Sequence, residues 1–482
     1  MSRALWMPEH AALVVEGFLH GNVEPIMGIS IDSRTLQEGD LFVAIRGDSL
    51  DGHDYALQAL EAGAAAALVD HVPPGLEGAP LIIVNDTTEA LTRLGQAGRN
   101  RSSAKVIGVT GSVGKTGTKE ALATVLAQAG LTQATQGNLN NHWGLPLSLA
   151  RFSPAASFGV FEMGMNHAGE INHLTRLCRP HVAIITTVTD AHIEFFEGQE
   201  GIADAKAEIF NGVVPTGTAV LNRDNPFYGR LAAAAEAQVV VNQVSFGRHE
   251  EADVRLLDLE NTAAGQRVTV SVKGQTATYD LGAVGEHYAL NSLGVLGVLV
   301  ALGLNWRNLL GAFADIQAPK GRGAQSVEPF GEGEITLIDE SYNASPEAMR
   351  AAFQVLAADD SVRRVAVLGD MLELGDKSAT RHRELAADLD ALGIDQVYAC
   401  GPMMKGMFDA LPANRQAAWA DDSQSLVPKV LDGLKPGDRV MVKGSAGSKM
   451  GAIVSALSAT TTEAAAEGSK VPAAGAPPSH PE

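Results

Sequence analysis

The stretch Val106-Ile-Gly-Val-Thr-Gly-Ser-Val-Gly-Lys-Thr-Gly-Thr-Lys-Glu120 joins an apolar strand to an amphipathic helix through a glycine-rich loop that ends in Lys-Thr. The strand is Val106 to Val109, and Leu122, Val125 and Leu126 recur at helical spacing until Gly130 offers a stop. Gly111 and Gly114 let the backbone curl, so that the N–H groups of the segment Thr110, Gly111, Ser112, Val113, Gly114 point at phosphate oxygens. The helix N-terminus adds its partial positive charge. In such a loop Lys115 reaches the β- and γ-phosphates, and the Thr116 hydroxyl ligates Mg²⁺, which prefers oxygen ligands. The stretch therefore predicts a nucleoside triphosphate site. The strict phosphate-loop pattern wants glycine at position 109, where this chain has Val109. That departure points away from the commonest proteins with such loops. The bland alternative, a glycine-rich turn without a ligand, does not explain why strand and helix both flank it.

Working outward, 482 residues suffice for about three domains of ordinary size. A formal net charge of −20 argues against non-specific nucleic-acid binding, so a phosphate site must rest on local Lys, Arg and backbone N–H groups. Cys178 and Cys400, far apart and in no metal-like spacing, suit a reducing compartment. The N-terminal residues lack the apolar core of a signal peptide, and no stretch approaches a membrane span, so a cytoplasmic protein without membrane insertion is expected.

Residues 1–100 alternate short apolar runs (Leu41–Ala44, Ala65–Val69, Leu81–Val84) with a helical segment, Tyr55–Ala62, which predicts a small first α/β domain. Residues 101–317 form a second domain, with further strands at Phe158–Met163 and Val182–Val188. Their polar ends matter because open parallel sheets bind ligands at the carboxyl ends of strands. Between about 238 and 282 a two-residue alternation predicts an antiparallel excursion, and a helix is expected over Tyr288 to Leu304. After the linker-like Ala318-Pro-Lys-Gly-Arg-Gly323, strands at Ile335–Ile338, Val365–Leu368, Gln396–Ala399 and Arg439–Val442 alternate with helices. They predict a third, doubly wound domain over 318–458. Residues 459–482 have the composition of a disordered tail.

Three residues outside the loop invite chemistry. Glu162 ends an apolar strand, where a buried carboxylate needs a cation, although a solvated strand end is the plain alternative. His192 follows the next strand and is placed as a metal ligand or substrate contact; a lone histidine is also often structural. Lys206 shares a helical stripe with Ile202 and Phe210, from which its amine could instead snorkel to solvent.

Together, Thr110-Gly-Ser-Val-Gly-Lys-Thr116, Glu162-Met-Gly-Met-Asn-His-Ala-Gly-Glu-Ile171, Ala191-His-Ile-Glu194 and Ala205-Lys-Ala-Glu-Ile-Phe210 resemble the Mur ligase family of amide-forming enzymes, in order and in spacing. The resemblance covers roughly residues 25 to 455. It implies three α/β domains: a small UDP-binding one, a central ATPase-like one with a mostly parallel sheet, and a C-terminal Rossmann-like one. It also implies ATP and two Mg²⁺ ions, with Thr116 on the first and Glu162, His192 and a carbamylated Lys206 on the second. Carbamylation turns a cation into an oxygen ligand, and it requires the amine to be neutral first, which a desolvated position favours. Gly285-Glu-His-Tyr-Ala-Leu-Asn291 resembles the family's adenine-contacting stretch, which implicates Asn291. Leu337-Ile-Asp-Glu-Ser-Tyr-Asn-Ala-Ser-Pro-Glu-Ala-Met349 resembles the start of its third domain. There Asp339 and Arg322 are expected at the nucleotide, Asn343 at the substrate, and Ser345 as the cap of a helix starting at Pro346.

The choice within the family comes from the outer domains. Ser30-Ile-Asp-Ser-Arg34, Gly39-Asp-Leu-Phe-Val-Ala44 and Asp51-Gly-His53 resemble the first domain of the members that add the third residue and the final dipeptide, which implies a UDP contact through Ser33 and Arg34. Gly137-Asn-Leu-Asn-Asn-His-Trp-Gly-Leu-Pro146, with Asn140 and Asn141 by the substrate, and Val367-Leu-Gly-Asp-Met-Leu-Glu-Leu-Gly375 with His382 resemble the dipeptide-adding member. An Asp-Asn-Pro-Arg-like run of the diamino-acid-adding member is missing. Val442-Lys-Gly-Ser-Ala-Gly-Ser-Lys-Met450 is a looser match, with Ala446 where relatives often carry Arg. The resemblance implies a monomeric ligase joining D-alanyl-D-alanine to UDP-N-acetylmuramoyl-tripeptide, with Lys320–Gly323 as a hinge for closure of the third domain. The other readings are the diamino-acid-adding ligase, a folylpolyglutamate synthase, and a non-catalytic nucleotide-regulated binding protein.

Overall fold

In the computed structural model, the described residues are 4–47, 50–190, 193–262 and 264–468, with 460–468 described by backbone alone. The chain divides into two units, Met1–Gln317 and Ala318–Glu482.

The first unit carries two sheets. Its five-stranded sheet runs Phe18–His20, Leu81–Ile83, Ala66–Val69, Asp40–Val43, Gly28–Ser30, parallel except for the first pair. Its nine-stranded sheet runs Gln275–Leu281, Gly265–Val272, Val254–Thr262, Asn242–Gly247, Thr218–Asn222, Val182–Ile185, Lys105–Thr110, Phe158–Glu162, Thr132–Ala134. Lys105–Thr110 lies between Phe158–Glu162 and Val182–Ile185, parallel to both, and is buried from Val106 onward. Such a strand is covered on both faces, which is why its sequence is a continuous apolar run instead of an alternation. The three neighbouring strands end together, at Thr110, Glu162 and Ile185, so the loops that follow them share one rim of the sheet.

The antiparallel excursion is shorter than the alternation predicts. Asn242–Gly247 still pairs parallel with Thr218–Asn222, and antiparallel pairing begins only where Val254–Thr262 meets Gly265–Val272. The long helix runs Glu286–Ala301, and the helix after the glycine-rich loop runs Lys115–Ala127, short of Gly130.

The cores of the two sheets of the first unit meet at the helix Gly144–Ala150, which contributes Leu147 and Ala150 to one and Leu145 and Leu149 to the other. The helix Thr87–Asn100 lies against Gly144–Ala150 so closely that a Cβ on Gly98 would stand 2.1 Å from the Leu149 carbonyl oxygen, and one on Gly95 2.7 Å from that of Pro146. Leu147 and Ala150 thereby join Trp6, Leu41, Leu68 and Leu91 in one apolar cluster. The Trp6 indole donates to the Ala150 carbonyl (3.0 Å), and the Arg151 guanidinium donates to that of Ile29 (2.5 Å).

The second unit is a six-stranded sheet in the order Ala324–Phe330, Gly333–Glu340, Arg439–Lys443, Arg364–Gly369, Gln396–Cys400, Gln416–Ala420, parallel after its first, antiparallel pair. Helices Pro346–Ala357, Ser378–Ala391, Pro402–Ala410, Ser423–Gly433 and Gly451–Gly468 connect or follow the strands, a doubly wound arrangement. Ser345 caps the first of these, its hydroxyl oxygen accepting the Ala348 N–H at 3.3 Å with Pro346 in the first turn. The last helix runs past residue 459, where the tail is expected to begin. Thr460-Thr-Thr-Glu-Ala-Ala-Ala-Glu467 continues it to Gly468, because Ala and Glu propagate a helix already nucleated on the core, and Gly ends it. Residues 469–482 lie outside the described part.

Candidate nucleotide and acyl-acceptor site

Gly111 (φ 151°) and Gly114 (φ 84°) hold the two positions of the loop that a side chain would spoil. A Cβ on Gly111 would meet Thr186 Oγ1 at 1.9 Å, and one on Gly114 would meet Asn291 Oδ1 at 2.9 Å, so Asn291 is packed against the helix N-terminus. The loop is tied to the neighbouring strand end on its other side. Thr186 Oγ1 donates to the Val113 carbonyl (2.6 Å), Ser112 N–H donates to the Thr187 carbonyl (2.8 Å), and Thr189 N–H donates to Ser112 Oγ (3.0 Å). Thr110 Oγ1 donates to the Met163 carbonyl (2.9 Å), fixing the third strand end. Lys115 Nζ folds back to the carbonyls of Gly111 (2.7 Å) and Ser112 (3.2 Å), at the mouth of the curl.

Glu162 is buried, 1% exposed, and each oxygen accepts one hydrogen bond: Oε2 from Thr116 Oγ1 (2.9 Å) and Oε1 from Asn140 Nδ2 (2.8 Å). Both donors are uncharged, and a carboxyl group in so water-poor a place is a setting that favours a bound cation. The hydroxyl and carboxylate at one spot suit Mg²⁺. Lys206 is also 1% exposed, and burial, reinforced by the Lys115 ammonium, pulls its amine well below the usual lysine range. That shift favours the neutral form of the amine, which is a nucleophile. His192 lies outside the described residues.

Asn140 belongs to a loop with two faces. Its neighbour Leu139, with Gln136, Leu147 and Arg151, lines a cleft of about 1140 Å³ whose other wall is Ser30 at the end of a strand of the five-stranded sheet, Asp32, Ser33 and Arg34 in the loop after it, and Tyr55 and Gln58 on nearby helical segments. Ser33 Oγ donates to Gln58 Oε1 (3.3 Å), and Arg34, largely exposed, is braced on Asp32 (2.7 Å). Asn141 Oδ1 accepts the N–H groups of Trp143 (3.2 Å) and Gly144 (2.9 Å), bracing the turn that enters the helix Gly144–Ala150. Lys119 is a residue the motif reading missed. Fully buried, it donates to the carbonyls of Thr135 (2.7 Å) and Gly137 (3.3 Å), while Thr135 Oγ1 accepts the Glu162 N–H (3.1 Å). It anchors the loop of Asn140 from the same helix that presents Thr116. The only local signal was a lysine three residues after Thr116, on the same helical face.

Arg322, Asp339 and Asn343 stand on the second unit. Asp339 accepts the N–H groups of Gly321 (3.0 Å) and Ser341 (3.1 Å), and the Arg322 guanidinium lies over the Tyr342 ring at 4.0 Å. The Asn343 carbonyl accepts from Lys443 Nζ (3.0 Å), which also pairs with Glu340 at 3.0 Å. His382 is buried, its Nε2 accepting the Met371 N–H at 2.9 Å, and burial lowers its pKa. It holds the turn that follows Gly369.

Three family models cover most of the chain: the Mur ligase family, catalytic domain at residues 25–99, the Mur ligase middle domain at 109–299, and the Mur ligase, glutamate ligase domain at 327–446. A relative from Synechocystis sp., named UDP-N-acetylmuramoyl-tripeptide--D-alanyl-D-alanine ligase, is 36% identical over 434 residues, spanning 90% of this chain and 92% of its own.

The chain belongs to the Mur ligase family. A crystal structure of MurF from Acinetobacter baumannii superposes with a TM-score of 0.82 at 30% identity, covering 94% of this chain and 99% of that one. A MurF ligase from Thermotoga maritima in complex with ADP gives a TM-score of 0.75 at 28% identity, covering 91% and 98%. The middle-domain match, residues 109–299, takes in Val109 and the whole glycine-rich loop. No helix among the described residues is long and apolar enough to cross a membrane.

Proposed function

We propose that this protein is an ATP-dependent ligase that adds D-alanyl-D-alanine to UDP-N-acetylmuramoyl-tripeptide, acting as a cytoplasmic monomer. The names of its relatives support the reaction, and one observation carries the geometry. The loop 136–141 walls the cleft with Leu139 and grips Glu162 with Asn140, so an acid bound by its UDP end at Ser33 and Arg34 extends along that loop toward the phosphate loop. Asn140 and Asn141 then line the path of the muramoyl group.

The chemistry follows from the residues. The loop N–H groups and Lys115 receive ATP and stabilise charge on the transferring phosphoryl group, while Asn291 borders the base. The terminal carboxylate of the tripeptide attacks the γ-phosphorus and ADP leaves. The dipeptide amine next attacks the acyl phosphate, and phosphate departs from the tetrahedral intermediate. Bound Mg²⁺ supplies Lewis-acid screening of the phosphate and carboxylate oxygens. Thr116 would hold one ion, and Glu162, His192 and a carbamylated Lys206 a second; the burial that lowers the pKa of the Lys206 amine supports that assignment. For Arg322, Asp339 and Asn343 the proposed roles rest on the resemblance alone, as does the division into UDP-binding, ATP-binding and C-terminal ligase domains.

Phosphate release measured with ATP, the UDP-linked tripeptide and D-alanyl-D-alanine tests this reading. Release is expected only when all three are present. Turnover with a free diamino acid in place of the dipeptide would establish the third-residue reading, and ATP binding without amide formation would make the protein a nucleotide-regulated binder.

A further inference from the structure

The Asp51-Gly-His53 turn closes on residues that the ligase reaction does not use. His53, 5% exposed, stands in the short helix Gly52–Tyr55, and Asp70 and His71 follow the strand Ala66–Val69. Among the described residues, one ligand atom from each of His53, Asp70 and His71 lies within 4.8 Å of the others. The His53 and His71 rings stack with centroids 4.8 Å apart, and His71 Nδ1 contacts Asp70 Oδ1.

The second sphere prepares the cluster for a cation. Asp51 Oδ1 accepts from His53 Nδ1 at 2.6 Å, which puts the ring proton on that side and leaves the lone pair on Nε2. The same Asp51 oxygen also accepts the His53 backbone N–H at 3.0 Å, which fixes the carboxylate against the ring. Nε2 accepts the Asp70 N–H at 3.1 Å and stands 3.2 Å from Asp70 Oδ1, the oxygen that His71 Nδ1 also contacts. That separation matches the roughly 3.3 Å between adjacent ligands around tetrahedral zinc, whose bonds to nitrogen are about 2.0–2.1 Å. Arg46 braces both carboxylates, at 2.9 Å from Asp51 Oδ2 and 3.3 Å from Asp70 Oδ2, with a longer 3.4 Å contact to Asp70 Oδ1. Asp70 and His71 remain accessible, with side chains 19% and 51% exposed, so an ion has a way in.

We propose that His53, Asp70 and His71 form a binding site for a divalent transition-metal cation of the zinc type, with Asp51 orienting His53 and one coordination position left to solvent. Two imidazoles and a carboxylate select such ions over Mg²⁺, which favours oxygen. On binding, the His53 lone pair passes from the Asp70 N–H to the ion. The bound ion then staples the helix Gly52–Tyr55, whose Gly52 and Tyr55 line the substrate cleft, to the end of the strand Ala66–Val69.

The test uses the full chain without an affinity tag, in excess MgCl₂, titrated with Zn²⁺ by calorimetry and with Co²⁺ by visible absorption. One equivalent should bind, Co²⁺ should show the strong d–d bands of a four-coordinate site, and Zn²⁺ should raise the melting temperature. His71→Ala, at a half-exposed position that leaves the core intact, should weaken Zn²⁺ at least tenfold and abolish the bands without altering basal turnover. Asp51→Asn should weaken it by about 10- to 100-fold while the bands persist at saturation. Absence of saturable Zn²⁺ binding by the wild type, or His71→Ala binding as the wild type does, would overturn the site.

Discussion

Lys206 and His181 are both bases that burial disfavours in their charged forms, and they lead to different experiments. For Lys206 the consequence is chemical: a neutral, buried amine can take up CO₂, and the carbamate then supplies the oxygen ligand that an alkylammonium cannot. Lys206→Ala should lower turnover by at least about 100-fold, since a metal ligand contributes several kcal/mol of transition-state stabilisation. Added short-chain carboxylates should restore part of it, and full activity without rescue would end the carbamate proposal. For His181 the consequence is thermodynamic. Its Nδ1 accepts the Val106 N–H at 3.0 Å, and burial, with Arg99 and Lys105 nearby, lowers its pKa from 6.5 to about 4. The unfolded chain therefore takes up this proton first. The stabilising contribution is whole above pH 6.5 and is lost as pH falls toward 4, by about 1–2 kcal/mol once partial exposure is discounted. Denaturant unfolding of wild type and His181→Asn between pH 4 and 7 should show the shallower decline in the variant; parallel curves would refute it. His181 carries no motif, so its role was invisible in the sequence, as was that of Lys119. Thr116 and Glu162 were legible because a phosphate loop and a charged strand end announce their chemistry locally.

At the scale of elements, contact between the helices Thr87–Asn100 and Gly144–Ala150 joins the first sheet to the second. Gly98→Ala tests it, because two effects of opposite sign compete. Alanine favours a helix by about 1 kcal/mol over glycine, whereas the new methyl would press on Leu149 backbone at 2.1 Å, which cannot swing aside. Overpacking against backbone should win, destabilising by about 1–3 kcal/mol. The matched control is Gly406→Ala in Pro402–Ala410, where nothing lies within 4 Å and a small stabilisation is expected. A stabilised Gly98→Ala would mean the helices are not packed this tightly. The same scale shows why central strands were read within three residues at either end while edges were not read at all. Val106–Val109, Val182–Ile185 and Val365–Leu368 are continuous apolar runs because neighbours cover both faces. Thr132–Ala134 and Ala324–Phe330 lie at sheet edges, with burial too partial to leave a pattern, and Pro329 in the latter reads as a breaker although an edge strand tolerates it.

On the scale of the whole molecule, the first unit separates two recognition tasks that the proposed reaction must combine. The UDP end of the acid falls to the cleft beside the five-stranded sheet, and ATP falls to the rim of the nine-stranded one. Groups on different sheets with no shared partners should act independently in binding and jointly in turnover. Arg34→Ala removes an exposed guanidinium that can form a charge-assisted bond, and it should raise KM for the UDP-linked tripeptide by about 10- to 100-fold. The ATP dissociation constant should not change. Lys115→Ala should do the converse, abolishing turnover and weakening ATP while leaving equilibrium binding of the UDP-linked acid intact. Asn140 is where independence should fail, because its loop belongs to both tasks: Asn140→Ala frees one Glu162 oxygen and loosens the wall carrying Leu139. It should therefore raise the Mg²⁺ requirement and KM for the acid together. Calorimetry of each ligand alone and steady-state kinetics over a Mg²⁺ series distinguish the outcomes. If Arg34→Ala also weakened ATP, the two subsites would be coupled through something other than this loop.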